Sequence, residues 1–511
     1  MNTKKSYAAI ALLFLLASTM LFSSCKKLLN FAPEDAPYEG SFWKTQDDAV
    51  SALAGVYSLS RQSMVRGSES ERMSHFSYGD LSTNEYNKVN GHFTLSFLVE
   101  GDKYYGTGIN IGDFIGPYLE DLGDWQSYYS TINMANTVLD KASKMPNNVF
   151  TGNRKNSVLG EAYFLRAYNY FYMVRIWGDV PLVLKNNPDP VTSVNLPRTS
   201  EKIVLDSVLA DLDKAQKLLK FTTGNDRAIA ADKGAVFALK ANVLRWQYFL
   251  GKNTDNSLLT KAVASIDSIT NSGNYNLVPA TKYKDLYKGR SEEAIFEVAT
   301  SLNQAEYQLG TGFFYTTAMM PYIANRLSTP IIINNNFLSQ IYYYDNDARM
   351  AYNFDTRDAS NWILTKYTGR NGENVKYRNA GNNTDPMVDC NTPIFRLGEQ
   401  LLLRAECNEL LGNYGPAVTD LNAVKARAGI EQYTGSNADL RTEIFEETYR
   451  EVAFEGQLWY VMIRNKRLQE YTEGRFPQSR FDQDGWKWPI SRTNLQKNQL
   501  LVQNKYWNGR N

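Results

Sequence analysis

Residues 160–183 read GEAYFLRAYNYFYMVRIWGDVPLV, and this stretch decides the architecture. Its apolar side chains do not keep to one face at a period of 3.6. They run nearly all the way round, interrupted only by Glu161, Arg166, Asn169 and Arg175. A helix with that pattern has no side to turn to water, so neighbours must sandwich it. It stops at Gly178, which tolerates a left-handed backbone, and Pro181 follows. The fold must therefore supply helices on either side.

Working outward, periodic segments flank it. Residues 125–145 precede it, and residues 200–219 follow, opened by Thr199 or Ser200 as a cap. Further helical patterns cover 228–250 and, less strongly, 257–271. Another pair runs over 393–411 and 414–427, and a last stretch over 441–469. Upstream, residues 47–60 read as a helix with Asp47 and Asp48 in its first turn, where negative charge meets the positive helix end. The joint Gly412-Asn413-Tyr414-Gly415-Pro416-Ala417 has the G-x-Y-x-x-A form of tetratricopeptide hairpin turns. There Gly412 permits the turn, and Tyr414 and Ala417 let the second helix approach the first. Ala162, Ala167, Ala235, Ala238 and Ala241 hold comparable places in the other pairs. The fold class is all-α, a tetratricopeptide-like scaffold of about four helical hairpins carrying loop-rich irregular insertions.

Those insertions are residues 61–124 and 280–392. Both lose periodicity and fill with Gly, Ser, Asn, Thr and Tyr. Long irregular stretches inside a compact chain usually carry function.

Composition narrows the function. The chain has 511 residues, with 55 Lys plus Arg against 54 Asp plus Glu, so no global field attracts nucleic acid. His75 and His92 are the two histidines, too few for a multi-histidine metal site. Cys25, Cys390 and Cys407 make neither a disulfide framework nor a C-x-x-C pair, and Cys407 reads as a small buried hydrophobe. No cofactor motif stands out. There is no P-loop, no H-E-x-x-H and no G-x-S-x-G; Gly106, Gly108 and Gly112 miss the dinucleotide spacing by one residue. Paired carboxylates need no motif, so Asp80, Glu85, Asp345, Asp347 and Asp355 are inspected as candidates for glycoside hydrolysis. Their bland reading, solvated or calcium-binding acids, is preferred.

The N-terminus reads as a secretory signal. Lys4 and Lys5 precede an apolar run over 8–22, too short to span a bilayer in comfort. Leu21-Phe22-Ser23-Ser24-Cys25 resembles a bacterial lipobox, which makes 1–24 a lipoprotein signal peptide and Cys25 the lipidated first residue. Such multiple acylation suffices for stable anchoring.

Residues 160–183 also resemble the most recognisable segment of the SusD/RagB family of outer-membrane nutrient-binding lipoproteins. Four more stretches agree in order: Tyr129, Ile132 and Asn136; TPIFRLGEQLLLRAECNELLG with AVTDLNAVKARAG; YREVAFEGQLWYVMIR; and Trp488-Pro489-Ile490 with Asn498 and Asn504. Lys425 and Tyr460 stand where that family usually has Arg and Asp. The resemblance implies a single domain over 25–511, with tetratricopeptide-like helices about 125–272 and 393–470 and ligand-binding loops about 61–124 and 280–392. It also implies a non-catalytic cell-surface protein that hands an oligosaccharide or other nutrient to a SusC-like TonB-dependent transporter.

Sugar binding needs aromatic platforms with polar side chains at their edges. The irregular regions supply Asn84, Glu85, Tyr86, Trp125, Tyr128, Tyr315, Tyr322, Asn325, Arg326, residues 342–347 including Tyr344, and Trp362. Helical Tyr163, Tyr170 and Trp177 are assigned to packing. Two rival functions stay open: a scaffolding lipoprotein whose helical hairpins bind protein partners, and a lipid-anchored glycosidase.

Overall fold

The computed structural model describes residues 42–65, 75–89, 99, 116–187, 194–222, 224, 226–299, 331–357, 362–369, 375–379, 384–388 and 390–509. Cys25 and the signal segment lie outside them. So do His92, Tyr315, Tyr322, Asn325 and Arg326.

The scaffold helices are α1 (Gln46–Val65), α2 (Gln126–Lys144), α3 (Arg154–Trp177), α4 (Glu201–Leu218), α5 (Lys233–Leu250), α6 (Asn256–Thr270), α7 (Leu397–Leu410), α8 (Tyr414–Ala428), α9 (Leu440–Val452) and α10 (Leu458–Arg464). The fold is mostly helical, as the periodicity requires. α3 is the helix quoted above, and every residue over 164–177 is buried. It packs between α2 and α4, with α1 across it. Gly178 ends it at φ +75°, its N–H donating to the Val174 carbonyl at 2.9 Å.

Two arginines of that helix are buried, and each has a partner. Arg166 makes a bidentate pair to Asp211 of α4, both N···O distances 2.7 Å, and donates to Asn136 of α2 at 2.7 Å. One guanidinium thus fastens three consecutive helices, and its planar fork suits the task. The Arg175 guanidinium lies 4.0 Å from the Tyr460 ring centroid on α10.

Successive packing continues through α4 on α5, α5 on α6, α6 on α7 and α7 on α8. A second apolar cluster, including Ala241, Tyr248, Leu259, Ile266, Leu403 and Cys407, fills the space between α5, α6 and α7. Burial pushes the Cys407 thiol up to about 12, so it remains an uncharged packing group. At the α7–α8 turn Gly412 has φ +80° and Ala417 is buried, as the turn pattern requires. Tyr414 departs from that pattern: it is 37% exposed, so close approach rests on the alanine.

Two other boundaries differ from the sequence reading. Residues 392–396 form strand β8 rather than the start of α7. β8 (Thr392–Arg396) pairs antiparallel with β2 (Ala294–Val298), Ala294 opposite Arg396 and Val298 opposite Thr392, and both strands are buried throughout. The expected helix over 441–469 is broken at 453–457, where Phe454 (φ +60°) and Gly456 (φ +72°) turn the chain between α9 and α10. The other ladders are β1 (Tyr86–Val89) with β3 (Ile331–Ile333), β4 (Phe354–Asp355) with β5 (Ile363–Leu364), and β6 (Val375–Asn379) with β7 (Thr384–Val388). Among the described residues no helix is long and apolar enough to cross a membrane.

The irregular half is fixed to the scaffold by buried charge. Arg396, at the end of β8, donates to Glu293 at 3.0 Å and to Glu455 at 2.8 and 2.9 Å, and also pairs with Glu451. Arg427 of α8 reaches Glu293 at 2.8 Å and contacts Glu451, while Arg349 reaches Glu447 at 2.7 Å and Glu451 at 3.0 Å. Buried charges persist only when paired in this way.

Candidate functional site

α1 begins with a reciprocal cap: Asp48 accepts from Lys44 N and Thr45 N, and Thr45 accepts from Asp48 N. Those hydrogen bonds lower the Asp48 carboxyl below its usual range. The far end of α1 runs into residues 66–74, and β2 runs into residues 300–330. Both belong to the irregular stretches that the sequence marks as functional. Between α1 and β2 the structure opens a cleft of about 490 Å³.

Leu165 and Tyr168 of α3 and Phe296 of β2 give the cleft apolar lining. The Phe296 ring meets Phe164 edge-on at 4.9 Å and Tyr168 at 5.6 Å, so this surface is locked. α1 contributes a polar wall of Tyr57, Ser58, Ser60 and Arg61, and Glu297 comes from the strand. An apolar lining with a few placed polar groups is the usual make-up of a small-ligand site.

The polar wall is held from behind. Tyr57 donates its hydroxyl proton to Glu161 Oε2 at 2.8 Å and accepts from Ala231 N at 2.7 Å. Burial pushes the Glu161 carboxyl up to about 7. Ser60 Oγ accepts from Asn169 Nδ2 at 3.1 Å. Glu297 Oε2 accepts from Arg290 N at 2.8 Å and Asn391 Nδ2 at 2.9 Å; burial raises its carboxyl nonetheless. Among the described residues no group of three or more His, Cys, Asp or Glu could hold a metal ion.

Four residues chosen from sequence as ligand contacts lie in the interior. Asn84 is fully buried, its side-chain oxygen accepting from Asn334 Nδ2 at 3.2 Å and from Arg475. Tyr86 is fully buried with its ring edge-on to Phe454 at 5.4 Å. Trp125 packs edge-on to Trp177 at 5.9 Å, and Tyr128 packs on Trp177 at 5.5 Å and on Tyr172 at 5.8 Å. Trp125 and Tyr128 stand at the start of α2 and pack on α3, while Asn84 and Tyr86 are covered by Asn334, Arg475 and Phe454. Glu85 is likewise buried, accepting from Phe454 N at 2.6 Å.

Tyr344 and Trp362 are half-buried at the surface. Tyr344 pairs with exposed Tyr343, while Trp362 leans on Phe354 at 5.6 Å. Neither lines the cleft. Of the inspected carboxylates, Asp347 is paired with Arg349 and Asp355 with Arg357, each at 2.9 Å or less. Asp80 accepts from Gly456 N at 2.6 Å. Tyr57 escaped the sequence reading because it sits in a helix, where aromatics normally pack; Arg61 and Phe296 fall inside the irregular stretches 61–124 and 280–392, and that position was the available signal.

Helical hairpins stacked beside a cleft define a helical-repeat protein. Comparison with known proteins narrows this. Residues 112–244 match the family described as "Starch-binding associating with outer membrane" (SusD-like_3), and residues 247–507 match the SusD family (SusD_RagB). The chain belongs to the SusD family. A "SusD-like protein P38" of Formosa agariphila is 24% identical over 98% of this chain and 99% of its own. A SusD homolog from Bacteroides thetaiotaomicron has the same fold, with TM-score 0.78 at 24% identity over 91% of this chain and 99% of that one. The B. fragilis protein NanU superposes with TM-score 0.67 at 19% identity, over 93% and 99%.

Proposed function

We propose that the protein captures a glycan at the cleft between α1 and β2 and passes it, chemically unchanged, to a SusC-like TonB-dependent transporter. It does so at the outer membrane, tethered by acyl chains on Cys25. Membership of the SusD family supports a glycan-binding role in nutrient uptake. The observation that supports this reading is the cleft of about 490 Å³, lined by Ser58, Ser60 and Arg61 of α1 and by Phe296 and Glu297 of β2. A sugar ring has C–H faces that suit apolar lining and a rim of hydroxyls that suits Ser58, Ser60 and Arg61. Tyr315, Tyr322, Asn325 and Arg326 follow β2 in the sequence and lie outside the described residues.

The test uses purified protein and neutral oligosaccharides, following both binding by calorimetry and products by chromatography. Arg61→Ala is expected to weaken binding roughly tenfold, the loss of one charge-assisted hydrogen bond, with no product formed by either protein. Binding indifferent to Arg61 would remove the cleft as the site. Product formation would instead favour the glycosidase. Anchoring is checked separately: Cys25→Ala should shift the protein from the membrane fraction to the soluble one.

A further inference from the structure

The C-terminal pattern of Trp488-Pro489-Ile490 with Asn498 and Asn504 has no part in the cleft, yet it builds a surface. Asn504 Nδ2 donates to the carbonyls of Trp177 at 3.1 Å and Trp488 at 2.6 Å, at the C-terminal end of α3. Asn498 Nδ2 donates to the Leu196 carbonyl at 2.8 Å, and Asn195 Nδ2 to the Lys497 carbonyl at 3.3 Å. Arg198 completes the clasp, donating to the carbonyls of Val502 at 2.8 Å and Trp177 at 2.9 Å and to Asn504 Oδ1 at 2.6 Å. Residues 194–199 and 498–504 are thereby laced side by side on one end of the helical stack.

What these two loops expose is apolar. Val194 is 77% exposed, Leu196 37%, Leu500 53% and Val502 69%. One exposed aliphatic residue is ordinary, but these stand together on loops whose backbones are held in place. The chain around them is basic. Residues 485–511 contain Lys487, Arg492, Lys497, Lys505 and Arg510 and no Asp or Glu. Lys497 and Lys505 are exposed, and among the described residues neither forms an ion pair. The acids at the start of α4 are already engaged, Glu201 by Lys487 and Asp206 by Lys202, each at 3.1 Å.

We infer that this end of the molecule rests on an anionic lipid surface. The four aliphatic side chains enter the headgroup layer, and Lys497 and Lys505 meet lipid phosphates. Size favours a membrane over a protein: four side chains cannot furnish the roughly 800 Å² per partner of a stable protein interface, and the basic rim repels a second copy of itself. A few inserted apolar groups and cations do suffice for a weak surface contact when a tether keeps the membrane close. The tether reaches. α1 begins beside Thr151, whose N–H donates to Gln46 Oε1 at 2.9 Å, near the N-terminal end of α3. The patch lies at the other end of α3, a 24-residue helix about 36 Å long. Residues 26–41 separate Cys25 from Phe42, and a chain of that length spans at most about 60 Å. The inference rests on the reading of Cys25 as an acylated anchor, without which the patch is too weak to hold the protein at a membrane through fractionation.

The experiment sediments the full chain carrying Cys25→Ala, and so no acyl group, with excess vesicles of phosphatidylcholine alone or mixed equally with phosphatidylglycerol. Binding to the anionic vesicles should exceed binding to the neutral ones at least fivefold and fall as salt rises. Lys497→Ser and Lys505→Ser should each weaken it about fivefold, and Leu500→Ser with Val502→Ser should abolish it. All four positions are exposed, so melting temperatures should stay unchanged and exclude misfolding. No binding to anionic vesicles, or binding untouched by these substitutions, would overturn the inference. A dimer in solution that is lost with Leu500→Ser and Val502→Ser, without vesicle binding, would assign the patch to a second copy instead. Mass analysis of the N-terminal peptide from the unaltered protein tests the anchor separately: missing acyl chains would overturn the tethered arrangement even where vesicle binding is seen.

Discussion

Arg396 shows how single residues decide stability here. Burial alone would raise the carboxyls of Glu451 and Glu455, yet Arg427, Arg396 and Arg349 hold Glu451 well below its usual range, and Arg396 and Lys366 lower Glu455. Removing Arg396 leaves these acids in the interior with less compensation. Arg396→Met should cost about 3–5 kcal/mol in urea unfolding, the range for breaking a buried pair. Asp80 illustrates the opposite sign. Burial pushes its carboxyl up to about 8 despite the Gly456 N–H, and Glu85 beside it is raised too, first by burial and then by Asp80. The folded state then holds a proton that the unfolded chain releases near pH 4, so this group's contribution to stability falls as pH rises from about 4 to 8. Asp80→Asn removes that slope: relative to the unaltered protein, the variant should gain stability between pH 5 and 8, by at most about 1.4 kcal/mol per pH unit. Denaturant midpoints across that window check it, and parallel curves would contradict the assignment.

Among elements, the break between α9 and α10 is the most demanding. Gly456 sits at φ +72°, and a Cβ there would lie 2.2 Å from His75 Cδ2. His75 in turn bonds Tyr172 at 2.6 Å and the Glu455 carbonyl at 2.8 Å, and burial lowers its imidazole to about 4, so it remains neutral. The turn is thus clamped by residues nearly 380 positions away. Gly456→Ala combines left-handed backbone strain with overpacking and should destabilise by about 2–4 kcal/mol, read as a fall in melting temperature. Most helices of the scaffold were legible beforehand, because amphipathic or all-round apolar periodicity is a local property of the chain. β8 was not. Residues 392–396 continue the apolar run into α7, and only pairing with β2, about a hundred residues upstream, makes them a strand.

For the whole molecule, the proposed site is the cleft between α1 and β2. A ligand bound there stabilises the native state by mass action alone. A neutral oligosaccharide at about 100 times its Kd should add about 2.7 kcal/mol, seen as a higher melting temperature with the sugar recovered intact. Arg61→Ala should lower that gain.

Sequence alone determined the helical class, the principal helices and the family resemblance, since each is written in local spacing: apolar residues around α3, Gly412 and Ala417 at the turn, five motifs in order. It also marked which stretches abandon periodicity. It did not determine which aromatics of those stretches face outward. Asn84, Tyr86, Trp125 and Tyr128 share their composition with Tyr343 and Tyr344, yet the first four are interior and the last two lie at the surface. That difference is set by which long-range neighbours arrive to cover each side chain, Phe454 and Arg475 in one place, Trp177 and Tyr172 in another. Such contacts join residues as much as 391 positions apart, so no local pattern encodes them and only tertiary packing decides.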